Sequence, residues 1–132
     1  MPLYWNIDSR RQLVILSAEG EVTRADADGY LDAVEHANAV TYRKLIDGRA
    51  GTIGMAPEDL MAIGVRIRSF HGSRVGALAI VLAEDKSEKV ARILGILATA
   101  DRPIRLFASL PPAQRWIESQ VPRSSDDEAR PS

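Results

Sequence analysis

The chain has 132 residues and a mass of 14.5 kDa, a size that suits one domain with a substantial core and is short for two. Hydrophobic residues make up 45% and charged residues 27%, as in an ordinary globular protein. The 17 basic and 18 acidic side chains nearly cancel, so net charge favours neither nucleic acid nor an anionic membrane as a partner. Cysteine is absent, which excludes disulfides, thiolate nucleophiles and cysteine-ligated metal sites.

The N-terminal part of the chain predicts a hairpin followed by a helix. Residues 3–8 and 12–18 are short apolar runs with polar residues between them, a pattern typical of a β-hairpin. Thr23 and Asp26 form a variant of the capping box, in which Thr23 accepts from a free backbone N–H at the helix start. The sequence therefore predicts an amphipathic helix over residues 24–39.

From residue 42 onward, strand-like and helix-like segments alternate. Residues 75–83 are nearly all apolar and predict a central strand covered on both faces. The other predicted elements are a strand at 42–47, a glycine-rich loop at 48–54, helices at 57–71 and 85–99, a strand at 104–108 and a short helix from Pro111. The order ββαβαβαβα predicts an α/β domain over 1–120, with a mixed, mostly parallel sheet of about five strands and the hairpin at one end. Residues 121–132 lack periodicity and predict a disordered tail.

Three places in the chain carry a family resemblance. They are Glu19–Thr23, Lys44–Asp47, and Ile104–Phe107 followed by Ala113–Ile117. In this order and spacing they resemble the STAS superfamily, in particular its bacterial SpoIIAA-like branch, which is also linked with lipid-binding domains. The resemblance covers roughly residues 4–120. It implies a STAS-like fold and a regulatory binding role similar to that of anti-sigma factor antagonists.

The same resemblance directs attention to the loop after the third strand. In anti-sigma factor antagonists this loop carries an Asp-Ser-Ser-Gly type motif, whose serine is phosphorylated by a partner kinase. The corresponding residues here, 47–55, contain no serine. Thr52 is the only hydroxyl in the loop and is therefore the candidate phosphoacceptor. The alternative is a turn residue that hydrogen-bonds to nearby backbone.

The sequence offers few candidates for catalysis or metal binding. Structural roles explain both histidines, His36 and His71, and the four acids of the first helix are interpreted as a solvated face rather than a cation site. The glycine spacing at 48–54 matches neither a P-loop nor a dinucleotide fingerprint. We therefore expect a protein that is not an enzyme and that needs no metal or cofactor.

The leading hypothesis is a regulatory binding module that acts through the loop after the third strand and the start of the second helix. Three glycines make the loop adaptable, the helix start supplies free N–H groups, and the resemblance puts the partner-facing surface here. The predicted contact residues are Asp47, Gly48, Arg49, Gly51, Thr52, Pro57, Glu58 and Asp59. An ordinary connector is the alternative, in which Asp47 and Arg49 form a surface ion pair.

A second hypothesis is a carrier or sensor of a small apolar or lipid-like ligand. The second helix has more apolar side chains than one inward stripe needs, so some are expected to line a cavity or a homodimer contact. These side chains are Leu60, Met61, Ile63, Val65, Ile67 and Phe70. The expected partner is thus a protein or a small apolar ligand. With neither a basic leader nor a long apolar run, we expect a cytoplasmic chain without a membrane span.

Overall fold

The computed structural model describes residues 3–69, 76–83 and 103–121. In chain order the elements are β1 (Leu3–Asp8), β2 (Leu13–Val22), α1 (Arg24–His36), β3 (Arg43–Ile53), α2 (Pro57–Arg68), β4 (Leu78–Val81), β5 (Ile104–Phe107) and α3 (Leu110–Ser119). The predicted α/β class and element order are confirmed for these residues. The predicted helix at 85–99, the tail from residue 122 onward and the side chain of Phe70 lie outside them.

The five strands form one mixed sheet in the order β1-β2-β3-β4-β5. Strand β1 runs antiparallel to β2, and the other three neighbouring pairs are parallel. All four residues of β4 are buried between β3 and β5, as the nearly all-apolar segment predicted. The hairpin lies at one end of the sheet, which is also confirmed.

Helices α1 and α2 cover one side of the sheet, which we call the α1/α2 face. Its buried core contains Leu3, Val14, Leu16, Ala18, Tyr30, Leu31, Val34 and Ala39. Ile63 and Ile67 of α2 pack against this core. Helix α3 covers the opposite side, which we call the α3 face, with a core of Leu13, Leu45, Ala77, Ala79, Val81, Ala113 and Ile117.

Helix α1 begins at the predicted cap. The Thr23 Oγ1 accepts from the backbone N–H of Asp26 at 3.3 Å, and the Thr23 N–H donates to Asp26 Oδ2 at 2.9 Å. The Thr23 hydroxyl also donates to Asp26 Oδ2 at 2.8 Å, and the two bonds from the Thr23 N–H and hydroxyl lower the pKa of the Asp26 carboxyl. The helix ends at His36, earlier than predicted, because Asn38 adopts a left-handed φ of 55° that a helix cannot continue.

The predicted loop at 48–54 is wrong for most of its length. Strand β3 continues to Ile53, and residues 50–53 pair in parallel with residues 19–22 of an extended β2, after a bulge that shifts the register. A Cβ on Gly51 would lie 2.7 Å from the Cβ of buried Ala18. The glycine is therefore needed for the close approach of two strands, and it does not act as a flexible joint.

Arg43 joins the start of β3 to the end of α3. Its side chain is buried, and Nη1 donates to the carbonyls of Ile117 and Gln120, both at 3.2 Å. Nη2 donates to the carbonyl of Arg11. Desolvation lowers the pKa of this guanidinium. The last carbonyls of a helix lack most of their partners within it, so Arg43 adds a donor at the end of α3, where the Ile117 carbonyl also accepts from the Gln120 N–H at 3.3 Å.

Candidate functional site

The residues predicted as one partner surface are divided between two sides of the sheet. Asp47 pairs with Val81, whose side chain belongs to the core of the α3 face, so Asp47 points to that side. We call Asp47, Arg49 and Thr52 the strand surface. Residues 57–59 open α2, which packs on the opposite side of the sheet. Gly48 and Gly51, also predicted as contact residues, are buried.

Asp47 and Arg49 form a bidentate ion pair. The Arg49 Nε donates to Asp47 Oδ1 at 2.9 Å, and Nη2 donates to Oδ2 at 2.7 Å. The pair lowers the pKa of the Asp47 carboxyl and raises that of the Arg49 guanidinium. Two parallel hydrogen bonds of this kind hold both side chains in one geometry. A ligand that recruits either charge must therefore compete with the other.

Thr52 is exposed and pairs with Glu21 of β2. Side chains of residues paired across two strands lie on the same face, so the Glu21 carboxylate borders any group attached to the Thr52 hydroxyl. A phosphate there would add nearly two negative charges beside that carboxylate. Thr52 as a phosphoacceptor stays a prediction, and its electrostatic surroundings oppose the modification.

Helix α2 presents three differently occupied sides. Ile63 and Ile67 face the core, whereas Asp59 and Arg66 face α1. The third side carries exposed residues at helical spacings of three and four, which we call the helix surface: Glu58, Met61 and Val65. Met61 is 59% exposed and Val65 is 56% exposed, so two apolar side chains lie open on one helical stripe.

Arg66 clamps α2 to the acidic side of α1. Its guanidinium lies 3.0 Å from Asp28 Oδ1, 2.6 Å from Asp32 Oδ1 and 2.7 Å from Glu35 Oε1. Hydrogen bonds, that to Glu35 foremost, raise the pKa of Arg66. The acids of α1 expected to form a solvated face are largely exposed, and three of them also hold the two helices together through Arg66.

Arg24 adds a second link between the same helices. Its Nη1 lies 3.6 Å from Asp59 Oδ1, and its Nε lies 3.6 Å from Asp28 Oδ2. Asp59 also accepts from the backbone N–H of Ala56 at 3.3 Å, so one N–H predicted as free at the start of α2 is already bonded. Within residues 3–69, 76–83 and 103–121, no group of three or more His, Cys, Asp or Glu side chains has the geometry of a metal site.

The comparisons with known proteins agree with this architecture. The sequence profile described as SpoIIAA-like matches residues 13–118. The chain belongs to the SpoIIAA-like family. A solved structure of an uncharacterised DUF3478-family protein with a SpoIIAA-like fold, from Shewanella loihica PV-4, superposes with a TM-score of 0.64 at 16% identity. The match covers 87% of this chain and 93% of that one, and it shows the fold alone. No curated protein matches.

For this SpoIIAA-like domain, the sequence identifies α2 and its apolar surplus. Some of these side chains are expected to line a cavity or a homodimer contact, and the structure leaves Met61 and Val65 exposed, which suits a contact surface better than a pocket. A finer signal was present, because Met61 and Val65 are four residues apart on a stripe distinct from that of Ile63 and Ile67. In the part of the chain that the structure describes, no helix is long and apolar enough to cross a bilayer.

The Arg66 clamp gives a stability prediction. We expect Arg66→Met to lower the free energy of unfolding by about 2 kcal/mol, because three carboxylates on neighbouring turns lose their shared cation. The loss should shrink at high salt, which screens the repulsion left among the acids. Chemical denaturation at two salt concentrations measures both effects. Arg115→Met, at an exposed position of α3, is the control; equal losses for the two variants would show that the clamp is unimportant.

Proposed function

We propose that this SpoIIAA-like domain is a non-catalytic, cytoplasmic regulatory module that binds a protein partner through the helix surface of α2. The observation that carries the proposal is the exposure of Met61 and Val65, at 59% and 56%, on a side of α2 that no element among residues 3–69, 76–83 and 103–121 occupies. Apolar side chains exposed next to each other on a rigid element are the usual anchors of a protein interface.

The rigidity of α2 supports the same proposal. The helix packs into the core through Ile63 and Ile67, and Arg66 holds it against α1 at three carboxylates. An interface built on such a helix loses little conformational entropy on binding, so more of the contact energy appears as affinity. Met61 and Val65 would therefore be held in their binding positions before a partner arrives.

The strand surface contributes a second part of the proposed contact region. Arg49 and Thr52 are exposed, and Asp47 orients the Arg49 guanidinium. Phosphorylation of Thr52 stays a proposal for regulation and would act through the charge beside Glu21. This surface ranks below the helix surface because its two charged groups already satisfy each other.

A carrier of a small apolar ligand is the alternative function. Ile63 and Ile67, expected to line its pocket, pack against the core of the α1/α2 face, and Met61 points to solvent. These contacts favour the interface over the pocket. Native mass spectrometry of the protein from its own host distinguishes the two: a retained small molecule supports the carrier, and a retained polypeptide supports the interface.

Two double variants test which surface binds the partner. Met61→Ala with Val65→Ala should weaken partner binding about thirtyfold, since truncating two apolar anchors typically costs about 2 kcal/mol. Folding should be nearly unchanged because both positions are exposed. Arg49→Ala with Thr52→Ala should weaken binding only about threefold. Calorimetry with the purified partner measures both, and the reverse order of losses would move the site to the strand surface.

A further inference from the structure

We infer that the partner presents a basic amphipathic segment, in which apolar side chains are flanked by Lys or Arg, to the helix surface. The inference rests on the proposed function and goes beyond it, because it specifies the chemistry of the partner. It follows from where charge lies in this molecule, since the overall balance of 17 basic and 18 acidic residues hides a strong asymmetry.

The acidic residues are concentrated on one part of the fold. Residues 19–36, which include the end of β2 and helix α1, together with residues 57–68 of α2, carry eight carboxylates and three arginines. The net charge of the whole chain is only −1, so the remaining residues are net positive. Ion pairs redistribute charge within the acidic part but leave its excess of five negative charges unchanged.

Carboxylates border the two exposed apolar side chains. Glu58 lies on the same stripe as Met61 and Val65, one turn nearer the start of α2. On the side toward α1, Asp32 and Glu35 remain 59% and 44% exposed although both pair with Arg66. Among the described residues, the helix surface is therefore an apolar centre with carboxylates on its α1 side and at the start of α2.

Another acidic residue, Glu21, lies close to the start of α2. A side chain on Gly54 would collide with Glu21, so the exposed Glu21 covers the turn that leads into Pro57. Glu21 lies on the Thr52 side of this turn, so it adds negative charge near the start of α2 without belonging to the helix surface. A partner that places Lys or Arg beside these carboxylates gains attraction during both encounter and binding.

The same charges argue against a second copy of this chain as the occupant. A twofold contact between two helix surfaces would bring Glu58, Asp32 and Glu35 of both copies together. Juxtaposed like charges are unfavourable, so these acidic residues oppose a twofold contact between two helix surfaces. The asymmetry of charge therefore selects a basic partner over self-association.

Two synthetic peptides test the inference on the full chain. Both carry leucine at helical spacing, and their remaining positions are all lysine in one peptide and all glutamate in the other. We expect the lysine peptide to bind at least about tenfold more tightly at low ionic strength, and to weaken as salt is added. In a titration followed by amide chemical shifts, the largest changes should fall on residues 58–66.

Matched variants separate charge from apolar contact. Glu58→Gln should weaken the lysine peptide about threefold, whereas Gln114→Lys, which changes the net charge by the same amount on exposed α3, should leave the affinity within about twofold. Met61→Ala with Val65→Ala should weaken it at least about tenfold. Sedimentation should show a monomer.

Several outcomes would overturn the inference. These are equal affinity for the two peptides, chemical-shift changes away from α2, equal effects of Glu58→Gln and Gln114→Lys, or a dimer that Met61→Ala with Val65→Ala dissolves. The proposed function fails separately. If calorimetry shows a natural partner that binds through Met61 and Val65 but has no basic segment, the inference is wrong and the proposed function stands.

Discussion

Replacing Arg43 with methionine is expected to lower the free energy of unfolding by about 3 kcal/mol. Arg43 is 6% exposed, and its guanidinium donates to the carbonyls of Ile117, Gln120 and Arg11. Methionine fills much of the volume but donates no hydrogen bond, so the carbonyls of Gln120 and Arg11 lose a donor and that of Ile117 keeps the Gln120 N–H. The cost is large because a buried or part-buried acceptor that loses a donor keeps its desolvation penalty.

Arg11→Met is the matched control for this prediction. Arg11 also joins the β1–β2 turn to α3, through a 2.5 Å ion pair with Glu118, but both side chains are about half exposed. An exposed pair contributes about 0.2–1 kcal/mol, so this variant should lose far less stability. Urea denaturation of both variants measures the difference. Equal losses of unfolding free energy in the two variants would show that the buried Arg43 contributes no more to stability than the exposed Arg11.

Gly51→Val is expected to destabilise the protein by about 3 kcal/mol. The first added carbon would lie 2.7 Å from the Cβ of Ala18, and both residues sit on paired strands that cannot separate without breaking backbone hydrogen bonds. Valine otherwise suits a strand, so its intrinsic preference opposes the effect. A large loss of stability would therefore be due to the steric clash with Ala18 and not to the strand preference of valine.

Gly29→Ala is the control for the glycine prediction. Gly29 lies inside α1, and a Cβ there meets nothing within 4 Å. Alanine at this position should stabilise the protein by about 0.5–1 kcal/mol, because glycine is a poor helix former. Thermal or urea unfolding compares the two variants. If Gly51→Val were as stable as the parent, the extension of β3 through residues 50–53 would be contradicted, and a flexible loop would be the better description.

The parts of the fold that could be predicted are those decided by local pattern. The cap at Thr23 could be predicted from the sequence because its hydrogen bonds join residues that are three positions apart. The interior position of β4 could also be predicted, because a strand that is covered on both faces is apolar throughout. The family match over residues 13–118 agrees with the resemblance seen in the sequence.

The extension of β3 could not be predicted in the same way. Glycines in the segment 48–54 are local turn signals. Gly51, however, is required by its close contact with Ala18, which lies more than thirty residues earlier in the chain. Pairing between distant parallel strands leaves no periodic pattern in one short segment. The local signal therefore favoured a loop, and the tertiary contact overrode it.

The candidate site could be predicted only in part, because some of its contacts join residues that are distant in the chain. The ion pair of Asp47 and Arg49 joins residues two apart and was considered from the sequence. The contacts of Arg66 join α2 to acids more than thirty residues away, so the sequence could not assign a partner to it. Without that link, the sequence does not distinguish the three sides of α2, and it predicts Met61 as one of the residues that line an apolar ligand pocket.

Photo-cross-linking in the native host tests the proposal that a protein partner contacts the helix surface of α2. A benzophenone amino acid is placed at Val65, at Thr52 on the strand surface, or at exposed Arg115 of α3 as the control. We predict one dominant cross-linked protein from position 65, much weaker capture from position 52 and none above background from position 115. Capture of the same proteins in equal amounts from all three positions, or strong capture from position 52 alone, would contradict the account.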